Sequence, residues 1–443
     1  MTMYHHSIAV LVVIAAVFAL AKRMKVTTEL SMFLGALFGA VAHMLLPKGV
    51  DPRSSIGIAE LLRHVVEGAF TYYDVCLIFM SATFFMALFK EAGGVAFIVR
   101  KIVRSFASRR IICLLLLTVV MLVPGAITGS GATTVLTVGA LVGSVLAAMG
   151  VSETRRVALI FMLAAMSAAA PPINLWAMMA AAGANMPYVG FAKPLMILSV
   201  SGALFSTFYL AGKGEKVDAE KALSELPVPP EGWNWLKASL PFVTLVFLVL
   251  AGRIWPYSFP TVGLPLIFMI CAVVTVLLSP VKLKIMDIAT DTVKNLLGLV
   301  GIMVVVGSLI QVMALSGSRG LISLAVVTLP MTVLFATLWI ILPLAEGLVQ
   351  YAVAPLIGVP LIMLFNMKGL DPIISLSAWA VMWPLGDCLP PTAVVGRATV
   401  MEMGYKGRYF GEFVKACIVP SLFIALLCTL FLIYSKNLAF LGG

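Results

Sequence analysis

Two carboxylic acids, Glu346 and Asp387, stand inside apolar stretches of a 443-residue chain in which only 11% of residues are charged. A carboxylate at membrane depth is costly unless it meets a cation or a donor, so each marks a candidate functional site. Both lie beside backbone breaks: the run Pro343 to Tyr351 surrounds the first acid, and Pro384 to Thr392 surrounds the second. Two further breaks carry neutral oxygens instead. The run Pro124 to Thr134 holds the hydroxyls of Thr128, Ser130, Thr133 and Thr134, and the run Ala168 to Asn174 ends on an amide. Unwound carbonyls and hydroxyls suit a hard cation such as sodium, while N–H groups at helix starts suit a carboxylate. The competing reading for each acid is a cap on a half-helix start, where negative charge is favoured. Function has the stronger case at Asp387, and the two readings are even at Glu346.

The breaks are duplicated. Pro124, Gly139, Gly150 and Pro171-Pro172 recur as Pro343, Gly358, Gly369 and Pro390-Pro391 at a constant offset of 219 residues. Proline removes a backbone donor and glycine loosens the chain, so neither belongs inside a membrane span unless the break is used. Matched breaks in two halves are the sequence pointer to the binding site of a secondary transporter.

The elements that must position these residues follow from composition. Hydrophobic residues make up 62% and mean hydropathy is +1.10, which excludes an ordinary soluble domain. Crossings are expected near 7–21, 30–47, 69–89, 155–187, 193–211, 237–251, 262–279, 293–315, 372–402 and 410–434. The stretches 111–149 and 321–365 are each too long for one span and are interrupted midway, so they read as re-entrant hairpins; paired complete helices are the alternative. The fold class is therefore all-α integral membrane, with about ten crossings and two hairpins. Five crossings per half is an odd number, which makes the two repeats inverted. The first run, Ile8 to Ala21, lacks a basic region before it and a cleavage site after it, so it reads as a retained helix.

Charge bias orients the layout. With both termini outside, inner segments 22–25, 90–110, 155–156, 213–237, 282–294 and 397–415 hold 22 of the 30 Lys and Arg. The net charge of +11 then faces anionic lipid and calls for no nucleic acid partner. Within 91–110 the apolar residues fall on one helical face and Arg100, Lys101 and Arg104 on another. An amphipathic interfacial helix is expected there, with a shorter counterpart at 316–328.

Other chemistry is excluded. Six scattered cysteines have no metal-ligand spacing, and no phosphate-binding loop, clustered metal set or nucleophile–base frame is present, so no enzyme is expected. A channel would need a continuous polar stripe, whereas polar residues gather at the breaks. His5, His6 and His64 are expected in aqueous or interfacial segments, His43 as a structural residue, and Trp176 and Trp383 in belts or packing.

The run Thr128-Gly-Ser-Gly-Ala132, then Gly139, Met149-Gly150 and Pro171-Pro172, resembles the large membrane subunit of TRAP transporters in the ion transporter superfamily. Glu346-Gly347, Gly369-Leu-Asp-Pro372, Pro390-Pro391-Thr392 and Gly396 are similar to that family's second repeat. The resemblance implies an elevator-type carrier of a bacterial or archaeal inner membrane, importing a small organic acid with sodium. It implies scaffold segments 1–110 and 213–320 and transport segments 111–212 and 321–443. A separate small membrane subunit and an extracytoplasmic binding protein are implied partners. On this reading sodium is held among Thr128, Gly129, Ser130, Asn174, Glu346, Gly347, Asp387 and Thr392. The substrate meets Thr133, Thr134, Asn174, Gln350, Thr392 and Arg397. The chain departs from the family in having Thr134 where an Asp is common, Ile173-Asn174 after the first Pro-Pro, and no Arg or Lys at either tip. Those departures keep open a stand-alone sodium- or proton-coupled carrier needing no binding protein.

Overall fold

The computed structural model describes residues 3–46, 57–212, 218–255, 257–260 and 262–442. Among them there are helices and connections and no strand. The first half runs α1 (Met3–Arg23), α2 (Thr28–Leu45), α3 (Ile58–Ala69), α4 (Tyr73–Glu91), α5 (Gly94–Phe106) and α6 (Arg110–Thr128). It continues with α7 (Gly131–Thr134), α8 (Ala140–Ala148), α9 (Glu153–Ala169), α10 (Leu175–Gly183) and α11 (Ala192–Ala211). The connection holds α12 (Ala219–Glu225); the opening of the expected 213–237 linker, residues 213–217, lies outside the described residues. The second half runs α13 (Trp235–Ile254), α14 (Leu264–Leu278), α15 (Ile285–Leu315), α16 (Ser318–Val327), α17 (Met331–Val349) and α18 (Val359–Met367). It ends with α19 (Pro372–Met382), α20 (Val394–Glu402) and α21 (Lys415–Ile433).

Among the described residues, nine helical stretches are long and apolar enough to cross a membrane. Three of the nine are limbs of the interrupted stretches: 110–128, 131–148 and 331–352. The repeat is visible as geometry. A widened helical turn at Val135–Gly139 recurs at Ala354–Gly358, α8 recurs as α18, and α10 recurs as α20, each displaced by 219 residues. Gly150 and Gly369 close the equivalent turns with φ of 73° and 71°, a conformation suited to glycine.

The first interrupted stretch re-enters. Its tip packs on the break between α9 and α10: a side chain on Gly125 would strike Ser167, and the Ile173 N–H donates to the Ala126 carbonyl at 3.1 Å. The 17-residue α9 rises about 25 Å before that break. The nine-residue α10 then climbs about 13 Å past the tip. The tip therefore stops at a depth that the broken helix passes.

Packing joins the halves. Helices α2, α3 and α4 lie on α14 and α15, with α13 beside α14. Gly68 and Gly307 bring α3 and α15 into backbone contact, and Ser308 Oγ donates to the Val65 carbonyl at 2.8 Å. Helices α6, α9 and α11 pack with α19, α20 and α21. Helix α9 is buried on every face from Val157 to Ala169, as a helix apolar all round must be.

Several expectations are refined. The third crossing begins well before residue 69, because α3 supplies an added turn-separated segment rich in charge (Glu60, Arg63, His64, Glu67). The eighth begins at Ile285 instead of 293. Helices α5 and α16 form where interfacial helices are expected. His6 is buried instead of aqueous, with its Nε2 2.9 Å from His43 Nδ1. Trp176 and Trp383 are fully buried, so packing describes them, and all six cysteines are buried and unpaired.

Candidate functional site

A cavity of about 890 Å³ separates the two packed groups and brings both hairpin tips to one wall. The first tip exists because α6 ends at Gly129, whose φ of 70° reverses the chain before α7 begins. Ser130 caps that restart, its Oγ accepting from the Thr133 N–H at 3.3 Å. Ser130, Thr133 and Thr137 then face the cavity. The second tip and the second broken helix add Gln350, Tyr351, Asp387, Val394 and Val395. The opposite wall comes from Glu29 on α2, from Phe79 and Thr83 on α4, and from Asp291, Asn295 and Ile302 on α15. Ser130, Gln350, Tyr351 and Asp387 are buried, while Lys90, Glu91, Lys282 and Asp287 are exposed, so the former form the deep end and the latter the mouth.

Of the two sets of breaks, the second carries the charge and the positive-φ non-glycine residues. Gln350 and Ala393 adopt positive φ of 52° and 44°, which non-glycine residues rarely take, and both sit at breaks. Gly347 is fitted against Leu389, and a Cβ on Gly386 would strike the Pro343 carbonyl. Thr392 ties these runs together, since its Oγ1 donates to the Gly347 carbonyl at 2.9 Å. Glu346 is fully buried and neither of its oxygens has a hydrogen-bond partner. Asp387 is 2% exposed and borders the cavity. Neither acid accepts a hydrogen bond from a helix start among the described residues, so the structure gives no cap contact to either. Tyr351 stacks on Trp176 at 4.6 Å, which joins the second tip to the first broken helix.

Other residues singled out by sequence are committed locally. Thr128 Oγ1 donates to the Pro124 carbonyl at 2.8 Å, and Thr134 Oγ1 meets Ser167 Oγ at 2.7 Å. Asn174 caps α10 by accepting from the Ala177 N–H at 2.9 Å; its amide donates to the carbonyls of Ala169 and Ala380. Asn174 thus bridges the two broken helices. Thr133 and Gln350 reach the cavity, whereas Thr134, Asn174 and Thr392 are buried behind its wall. Arg397 is not brought to the cavity: it is exposed and donates to the Pro391 carbonyl at 3.1 Å. Tyr351, Thr137, Thr83 and Asn295 also line the cavity, though their sequence neighbourhoods do not single them out as site residues. No local signal marks them, because each acquires its place by packing across the repeats.

The donor set fits a hard cation in chemistry: carboxylates at Glu346 and Asp387, hydroxyls at Ser130 and Thr392, and loosened carbonyls at both tips. Glu346 is the most exacting member, since a buried carboxyl without a partner must either hold a proton or meet a compensating charge.

Known proteins of similar sequence and shape are membrane transporters. The family described as the tripartite ATP-independent periplasmic transporter, DctM component, matches residues 2–205, somewhat less than half of the chain. No curated protein sequence matches. Neisseria gonorrhoeae MtrF, described as illuminating a class of antimetabolite efflux pumps, has a similar structure, with a TM-score of 0.63 and 13% identity. The alignment covers 92% of this chain and 94% of that one. The Alcanivorax borkumensis YdaH transporter, described as having an unusual topology, aligns with a TM-score of 0.57 and 14% identity, covering 92% and 97%. The chain therefore has the helical fold of these transporters.

Proposed function

We propose that the chain is a secondary transporter of the inner membrane, the large membrane subunit of a TRAP-like system that imports a small organic acid with sodium. The observation that carries this reading is the cavity whose one wall consists of the two repeated breaks, with Asp387 at its deep end. In this account sodium lies among Thr128, Gly129, Ser130 and Asn174 in the first repeat and Glu346, Gly347, Asp387 and Thr392 in the second. The substrate lies on Thr133, Gln350 and Tyr351. Segments 111–212 and 321–443 move as one body against 1–110 and 213–320. The mouth carries Lys90, Lys282 and Lys284, which belong to segments that charge bias places inside. On this reading the cavity opens toward the cytoplasm. The family match supports a small membrane subunit and a binding protein as partners.

One observation favours a second reading, a stand-alone sodium- or proton-coupled carrier. Among the described residues no Arg or Lys reaches the deep end of the cavity, and Arg397 is exposed on the Pro391 carbonyl, so a substrate carboxylate meets no fixed cation from them there. Uptake of radiolabelled mono- and dicarboxylates into proteoliposomes distinguishes the two. The chain alone should be inactive and should gain sodium-dependent uptake when the small subunit and binding protein are added. Activity of the chain alone would favour the stand-alone carrier, and uptake indifferent to sodium would remove sodium coupling.

A further inference from the structure

An apolar groove on the outside of the molecule runs between α5 and α13. Ile98 comes from α5, and Trp235, Phe242, Val243, Val246 and Phe247 come from α13. Its volume is about 530 Å³. Trp235 is the first residue of α13 and is 55% exposed, so it marks the level of the membrane–water interface. From Trp235 to Phe247 the helix rises about 18 Å. One leaflet's share of a hydrocarbon core is about 15 Å, so the groove starts at the interface and ends near the midplane. That is the length of one acyl chain. A partner's transmembrane helix would need a seat of about 30 Å, longer than the groove.

The rim adds the complementary charge. Lys101 lies about one helical turn from Ile98, and its Nζ stands 5.9 Å from the Phe97 ring, which in turn meets Trp235 edge-on at 5.7 Å. Helix α5 contains Arg100, Lys101 and Arg104 and no acidic residue. Arg100 is occupied, donating to the carbonyls of Leu223 and Leu226 at 2.8 and 2.7 Å. Lys101 and Arg104 remain on the exposed side.

We infer that this groove holds one acyl chain of an anionic phospholipid, whose headgroup sits on Lys101 and Arg104. The lipid lies against α5, where an anionic leaflet would hold that helix at the surface. The site is separate from the cavity and does not depend on what the carrier transports.

Native mass spectrometry of the full chain from micelles with equal phosphatidylglycerol and phosphatidylcholine tests this. The expected result is one retained phosphatidylglycerol per chain, preferred at least fivefold. Val243→Trp, at an exposed position, should fill the groove and remove that lipid. Lys101→Gln should keep a bound lipid but lose the preference. Melting and size-exclusion profiles should match wild type in both variants, and the Lys101 change alone tests the headgroup if the other fails to fold. Equal retention of the two lipids, retention unaffected by Val243→Trp, or a Lys101→Gln chain that keeps the preference would each overturn the inference. So would capture of a protein, in place of lipid, by a photocrosslinker at Val246.

Discussion

Asp387 and Glu346 differ in what surrounds them, and the difference decides how each should respond to substitution. Asp387 borders the cavity and caps nothing among the described residues, so Asp387→Asn should abolish most sodium-driven uptake while leaving the fold intact. An Asn that works nearly as well would return the residue to a capping role, since Asn and Asp are comparable caps. Asn174 carries a mixed expectation. It caps α10 and bridges to Ala380, so Asn174→Ala should lower stability by about 1 kcal/mol whether or not it also touches sodium. A melt and a sodium titration separate the two contributions: an unchanged melt would contradict the capping contact. Thr134→Val should cost less, because Ser167 Oγ keeps its bond to the Ala164 carbonyl at 2.7 Å. The two acids and the tip hydroxyls were legible in sequence, since a charge or a Gly-Ser-Gly run inside an apolar stretch stands out. Tyr351 and Trp176 were not, because an aromatic residue in an apolar helix is indistinguishable from filler until the opposite repeat stacks on it.

The repeat of breaks predicted the paired hairpins and broken helices with little error, because proline and glycine act on the backbone locally. Boundaries were harder where polar residues occur without aqueous exposure. Helix α3 is amphipathic and charged, and α12 is a short polar helix inside the linker, so neither stands out by hydropathy. Yet α12 has a defined place. Arg100 holds its end, Trp233 donates to the Ala92 carbonyl at 2.7 Å, and the Asp218 N–H approaches the Ala148 carbonyl at the foot of the first hairpin. The linker therefore spans from α5 to α8 as a strap. Arg100→Ala should release α12, read as faster limited proteolysis between residues 219 and 226, with Arg100→Lys intermediate. Equal cleavage in all three chains would show that Arg100 does not hold the strap.

At the scale of the whole molecule, the two packed groups meet across the cavity, and the proposed elevator requires that meeting to be temporary. A cysteine pair at Thr133 and Asn295, on opposite walls, should crosslink in one transport state only. Crosslinking at the same rate with and without sodium would contradict relative motion. The division into moving and fixed segments could be proposed from sequence because the breaks cluster in 111–212 and 321–443. The cavity itself could not, since its lining is drawn from separate stretches of both halves of the chain. The central claim, a cation site built from the two breaks, is tested most directly by equilibrium binding of radioactive sodium to the purified chain. The account predicts saturable binding, displaced by unlabelled sodium but not by choline, and weakened at least tenfold in both Asp387→Asn and Ser130→Ala. Absence of saturable binding, or binding that neither substitution changes, would contradict it.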